Sequence, residues 1–245
     1  ELGGAPGEPG EAGAGEAGAG GGAGAASGGA GAAGGGAGAA GGPGHVPTSG
    51  PIDCRRDGDG LTTLVFVNQC AGVLSFAGSE LPGGTLQPGQ FQCVDVGTAD
   101  EPLSSKRYWG WLGEDPGAER HTLAEFTFNT DFYDFDWYNI SHVDAHNLPM
   151  QIVPVARPDC HVETCAQDLL AQCPAEGLYR DSAGTVLACV SPDRDNPDSP
   201  VARYFEQCDD AYAWSGDDQQ GSDPSPMRAC AGEDWDIVFC PEGSP

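Results

Sequence analysis

His142, Asp144 and His146 alternate along the chain. On a strand, residues two apart project to one face, and two imidazoles with a carboxylate form a donor set that a divalent metal accepts. The competing reading is a polar cleft whose histidines are held by hydrogen bonds. Three ligands without supporting groups do not make a metal centre, so the triplet stays a candidate, and neither a metal nor a cofactor is expected. The ten cysteines include no C-x-x-C pair and no Cys/His cluster at zinc spacing, which reads as disulfides in an oxidising compartment. G-x-S-x-G, H-E-x-x-H and phosphate-cradling glycine loops are absent from the sequence. Asn139-Ile140-Ser141 is a glycosylation sequon, and a glycan there would block the strand face around it. The run from Asp193 to Asp198 lacks the glycine that a calcium loop needs at its sixth position and reads as a solvated acidic loop.

The elements that must carry such groups sit in an acidic chain. The formal charge is −27 and the single lysine is Lys106. Such a field repels nucleic-acid phosphates and anionic lipid heads, so no nucleic-acid partner is expected. No apolar run approaches the roughly 20 residues that span a bilayer as a helix, so no membrane insertion is expected either. What remains is a solubilising charge or an acidic cleft for a neutral, hydroxyl-rich or cationic ligand.

Composition divides the chain in two. Residues 1–52 are dominated by Gly, Ala, Pro and Glu; they offer too little apolar surface to offset chain entropy and read as a disordered tether. A flexible segment of that length reaches roughly 35–40 Å on average. Residues 53–245 read as one all-β domain: short β-branched and aromatic runs separated by Gly/Pro turns indicate an antiparallel sandwich or barrel. Strand candidates are Thr62–Asn68, Lys106–Trp111, Leu123–Phe128, Trp137–Ser141, Gln151–Val155 and Trp235–Cys240. Apolar residues at 166, 169, 170 and 173 predict a helical turn within a cysteine-rich excursion over 158–207.

Three blocks resemble the thaumatin-like family. They are Thr122–Asn129 (TLAEFTFN), Trp137–Met150 (WYNISHVDAHNLPM, similar to the family's DFYDVSLVDGFNLPM) and Tyr204–Trp214 (YFEQCDDAYAW), followed by Ile237–Pro241. The trio Cys160, Cys165 and Cys173 also has the family's spacing. The resemblance implies a thaumatin-like β-sandwich with a small disulfide-rich helical and loop excursion. It implies the bridges Cys70–Cys240, Cys160–Cys230, Cys165–Cys208 and Cys173–Cys189, with Cys54–Cys93 as an addition. The family's C-x-T-G-D-C loop is missing between Trp111 and Thr122, so the domain looks trimmed, and arginine in excess of lysine suggests a bacterial member.

The resemblance also implies an acidic cleft built from an Arg, a Glu and three Asp. Glu125 takes the Glu position and Asp144 one Asp position; Asp217 takes another, with Asp218 as its alternative. Asn139 stands at the third, Trp111 at the Arg position, and Arg107 lies on the same strand. His142 and His146 stand where the family has Leu and an aromatic. The function so implied is polysaccharide binding, with β-1,3-glucan as partner, by a secreted or surface-tethered monomer of defence or antifungal type. One alternative is a weak endo-β-1,3-glucanase with Glu125 and Asp144 as acid and as nucleophile or base; the other is a structural surface domain without a ligand.

Overall fold

The computed structural model describes residues 45–54, 59–98, 100–129, 135–218 and 225–244. Most of the Gly/Ala-rich segment, residues 1–44, lies outside them. In chain order the strands are β1 (Leu61–Asn68), β2 (Leu74–Gly78), β3 (Leu81–Leu86), β4 (Phe91–Thr98), β5 (Leu103–Leu112), β6 (Leu123–Phe128), β7 (Asp136–Ser141), β8 (Ala145–His146), β9 (Met150–Pro154), β10 (Glu163–Cys165), β11 (Leu178–Arg180), β12 (Val186–Val190), β13 (Ala211–Tyr212), β14 (Arg228–Cys230) and β15 (Asp234–Phe239). One short helix, α1, spans Pro200–Phe205.

Three sheets result. The first runs β10-β9-β15-β1-β4, the second β13-β7-β6-β5-β2-β3 with β14 also on β7, and the third β11-β12-β8. The ladders are antiparallel with two exceptions: β1 pairs with β15, and β13 with β7, in parallel. A parallel pair needs a long crossover, and the first and last strands have the whole domain between them.

β1 is buried on both faces, as a central strand rich in Val, Leu, Phe and Thr should be. Leu64 and Phe66 enter the main core, whereas Val65 and Val67 join Val238 in a smaller cluster covered by Ile52, Cys54 and Phe91. The main core is strongly aromatic. Phe66 stacks on Phe76 with ring centres 4.4 Å apart, and Phe126 and Tyr138 close on Trp235 at 5.5 and 4.6 Å. Each ring buries a large apolar area, and the tilted contacts add to it. Gly110 explains the Trp-Gly-Trp pattern of β5. It lies on the inner face, where a Cβ would stand 2.8 Å from the Phe239 ring, so only glycine lets β5 approach β15 this closely.

Residues 45–52, which composition assigns to the tether, lie against the domain. His45 bridges Cys70, Val46 N–H donates to the Gln69 carbonyl, and Ser49 N–H donates to the Gly89 carbonyl. The segment Cys165–Cys173 is not helical: Cys165 ends β10, and the remainder turns, with Asp168 accepting from Leu170 N–H at 2.9 Å. Its two end cysteines are tied to different partners, Cys208 and Cys189, and so short a stretch gains little from helix nucleation. The helix of this excursion is α1, where Ser199 caps Ala202 N–H and Pro200 opens the first turn. The five disulfides are Cys54–Cys93, Cys70–Cys240, Cys160–Cys230, Cys165–Cys208 and Cys173–Cys189. These are the pairs the resemblance implies, and Cys70–Cys240 fastens the ends of β1 and β15.

Candidate functional site

Side chains alternate across a strand, so the outer face of β5, β6 and β7 is set by residues 105, 107, 109, by 123, 125, 127 and by 137, 139, 141. Register arranges them in rows. Arg107 stands opposite Glu125 and Glu125 opposite Asn139; Thr127 stands opposite Trp137, and Leu123 opposite Ser141. The middle row is polar and tightly joined. Arg107 Nε lies 2.9 Å from one Glu125 oxygen, and Asn139 Nδ2 donates to the other at 3.1 Å.

Three adjoining depressions lie over this face, and Arg107 lines all of them. The central one, about 270 Å³, is lined by Glu125, Asn139, Asp144, Arg194, Tyr212 and Asp218 among others. A second, about 180 Å³, runs past Glu125 to Thr127 and the half-exposed Trp137. The third, about 310 Å³, lies on the other side towards Trp109, His121 and Asp144. Together they form one groove across the three strands.

Every carboxylate in the central depression has a partner. Glu125 has Arg107 and Asn139. Asp144 lies 3.2 Å from Arg194 Nη1, and its carbonyl accepts from Ser191 N–H at 2.8 Å. Asp218 meets the Tyr212 hydroxyl, and burial together with the Asp218 charge holds that phenol well above its usual range. Arg107 can only donate and Asn139 donates through Nδ2, so both Glu125 oxygens are engaged. In the third depression His121 Nε2 lies 3.0 Å from Asp115. Burial lowers the affinity of His121 for a proton, and Asp115 partly offsets it. The rings of Trp109 and Trp111 lie 5.9 and 5.7 Å from this imidazole.

Glu125, Asp144, Asn139 and Arg107 are therefore brought together. Trp111 is not: it lines none of the three depressions and packs beside His121, while Arg107, four residues earlier on the same face, makes the ion pair with Glu125. Asp217 turns away, its Oδ2 accepting from Ala213 N–H at 2.9 Å, and Asp218 supplies the groove carboxylate. Asn139 is buried and its Nδ2, the atom a glycan would modify, is occupied by Glu125.

The His142–Asp144–His146 face does not form. β7 stops at Ser141 and β8 starts at Ala145, so a bend separates them and the alternation breaks. Asp144 faces the groove, whereas both histidines are fully buried, with His146 Nδ1 3.2 Å from His142 Nε2. Leu169 N–H donates to His146 Nε2 at 3.4 Å, which leaves the His146 proton on Nδ1, directed at His142. Burial drops the His142 imidazole to about 3, and drops His146 well below its ordinary value. Among the described residues, two groups of potential metal ligands converge: His142, His146 and Cys165, and His161, Glu163 and Asp210. Cys165 is bonded to Cys208, and Arg228 occupies Glu163 and Asp210 at 3.1 and 3.2 Å. Neither group includes Asp144.

Sequence reasoning missed Arg194, Tyr212, Trp109 and Trp137 as groove residues. The two tryptophans had a signal, since each is two residues from a groove residue on its own strand. Arg194 had none, because only the tertiary fold brings the excursion to Asp144.

Comparison with known proteins places this geometry in context. The profile of the Thaumatin family matches residues 113–200. The chain is 32% identical over 217 residues to "Pathogenesis-related thaumatin-like protein 3.7" of Cryptomeria japonica, covering 74% of this chain and 89% of that protein. It is 29% identical over 232 residues to "Pathogenesis-related thaumatin-like protein 3.5" of the same species, covering 74% and 91%. A "Glucan endo-1,3-beta-glucosidase" of Prunus avium is 32% identical over 139 residues, 49% of this chain and 55% of that protein.

Proposed function

This chain belongs to the thaumatin family, and from that premise we propose that it binds a neutral polysaccharide of the β-1,3-glucan type along the groove of β5, β6 and β7. One observation carries the reading: the Arg107–Glu125–Asn139 row is a set of fixed donors and acceptors on an open floor, with tryptophans beyond it on both sides. Sugar hydroxyls both donate and accept, and preformed polar groups meet them without reorganisation. Indole faces offer the apolar area that a pyranose ring covers. The two groove arginines, Arg107 and Arg194, lie against Glu125 and Asp144, so the local field is far milder than the net charge and suits a neutral ligand. Five disulfides fit a secreted or surface-held protein in an oxidising compartment, acting as a monomer in a defence-type role.

The test is co-sedimentation with insoluble β-1,3-glucan, with chitin and cellulose as controls. Retention on the glucan alone, reduced about tenfold by Arg107→Ala, supports the reading; equal recovery in every supernatant removes it.

A second reading is endo-hydrolysis by Glu125 and Asp144, favoured by their shared depression and by the name of the Prunus avium relative. It requires one carboxyl to donate a proton to the leaving oxygen, and Glu125 would have to give up its contact with Arg107 or Asn139 to do so. Release of reducing ends from laminarin that disappears in Glu125→Gln would establish it.

A further inference from the structure

Trp137 is the more exposed of the two groove tryptophans. It is 36% exposed on β7, whereas Trp235 of the core is 0% exposed. A tryptophan at the surface forfeits much of the stabilisation its burial would bring, so its place in the lining of the Thr127 depression is not accounted for by packing. Trp109 lines the depression at the opposite end and is seated on His121, whose other side is held by Asp115. One end of the groove thus has a braced indole and the other an open one.

Their separation follows from strand geometry. Trp137 belongs to the Thr127 row and Trp109 to the row beyond Arg107, four residues along the strands and two strands across. At ~3.3 Å per residue and ~4.8 Å per strand the diagonal is roughly 16 Å between backbones. The polar row lies midway. A single sugar on that row lies beside one indole or the other, since each shares a depression with Arg107, whereas only a chain of several consecutive rings would touch both.

We propose that Trp109 and Trp137 are the two end platforms of an extended subsite array, so that the groove reads a run of consecutive sugars within a polysaccharide and not an isolated sugar or a chain end. This rests on the polysaccharide reading given above. Among the described residues Trp137 keeps an exposed face, past which a chain can continue, as binding inside a long polymer requires. Trp137 is the specificity-determining residue of the pair. Its contribution adds to that of Trp109 only when the ligand is long enough to cover both, so it sets the dependence on length.

The experiment is titration calorimetry of the intact chain with unbranched β-1,3-linked gluco-oligosaccharides of increasing length. Wild type should bind more tightly with each added sugar until both platforms are covered and then level off. Trp137→Ala should lose about tenfold for the longest oligosaccharides and progressively less as the oligosaccharide shortens; Trp137→Phe should restore part of the loss. If wild type binds but its affinity does not depend on length, or if Trp137→Ala follows the wild-type curve, the platform assignment is overturned while the groove reading stands. If wild type binds no oligosaccharide of any length, both fall.

Discussion

Glu125 lies in the groove, but its partner stands elsewhere than the resemblance implies. The block TLAEFTFN places it at the family's cleft glutamate, while Trp111 stands where the family has arginine. The structure supplies the same charge from Arg107, four residues away on the same face of β5. Strand alternation makes such a relocation possible, since residues two or four apart share a face, but alternation alone does not say which of them meets Glu125. Arg107→Ala should weaken glucan retention more than Trp111→Ala, about tenfold against less than threefold, measured by depletion from solution. Asp136 gives a prediction of a different kind. It is buried, accepts from Asn129 N–H at 2.7 Å and from the Trp235 indole at 3.2 Å, and burial raises its carboxyl from 3.8 to about 6. A raised folded value means that the folded chain holds this proton more tightly than the unfolded chain. Its contribution is therefore present at low pH and is lost as pH climbs from about 4 to about 6, by roughly 3 kcal/mol. Chemical denaturation across that window should show Asp136→Asn gaining on wild type by about that amount; parallel curves would place the titration elsewhere.

Among the elements, the break between β7 and β8 changes the reading most. Alternation at 142, 144 and 146 looks like a continued strand, and local sequence carries nothing to say that Val143 and Asp144 bend. The bend exists because Asp144 is tied to the excursion, through Arg194 and Ser191 N–H, and such long-range ties are invisible to periodicity. Its consequence is a pair of buried histidines in contact with each other, with His142 against Phe205. Their sign is opposite to that of Asp136. The folded values are depressed below 6.5, so stability is full above that pH and is lost as pH falls, with His142 alone accounting for about 3 kcal/mol by pH 4.5. The double variant His142→Leu/His146→Phe, which restores the residue types the family carries there, should gain stability on wild type by about that amount between pH 7 and pH 4.5, because the opposing contribution of Asp136 is common to both. Parallel stability curves for the two proteins would exclude the histidine pair as an acid-sensitive element. The helical expectation over 166–173 failed for a related reason: bridges from Cys165 and Cys173 to separate elements decide the path of a segment too short to fold by its own propensity.

For the molecule as a whole, the blocks that resemble the family identified the fold and implied the bridge pattern, because both depend on many residues at once. The groove was only half legible, since it is assembled from β5, β6, β7, the Tyr212 turn and the excursion loop, which meet only in three dimensions. Cys70–Cys240 closes the longest of the loops, with a sequence separation of 170. The chain-entropy model gives such a closure about 5 kcal/mol as a ceiling. Replacing both cysteines with alanine should therefore lower the melting temperature more than removal of Cys173–Cys189, whose loop spans 16; the reverse order would contradict a denatured-state origin. The central claim concerns the groove, and the five tryptophans report on it. In a spectrum of indole N–H resonances titrated with a long β-1,3-linked gluco-oligosaccharide, the Trp109 and Trp137 signals should move together and saturate, while that of buried Trp235 stays fixed. Saturating ligand that leaves Trp109 and Trp137 unmoved, or that shifts only residues away from β5, β6 and β7, would contradict the account.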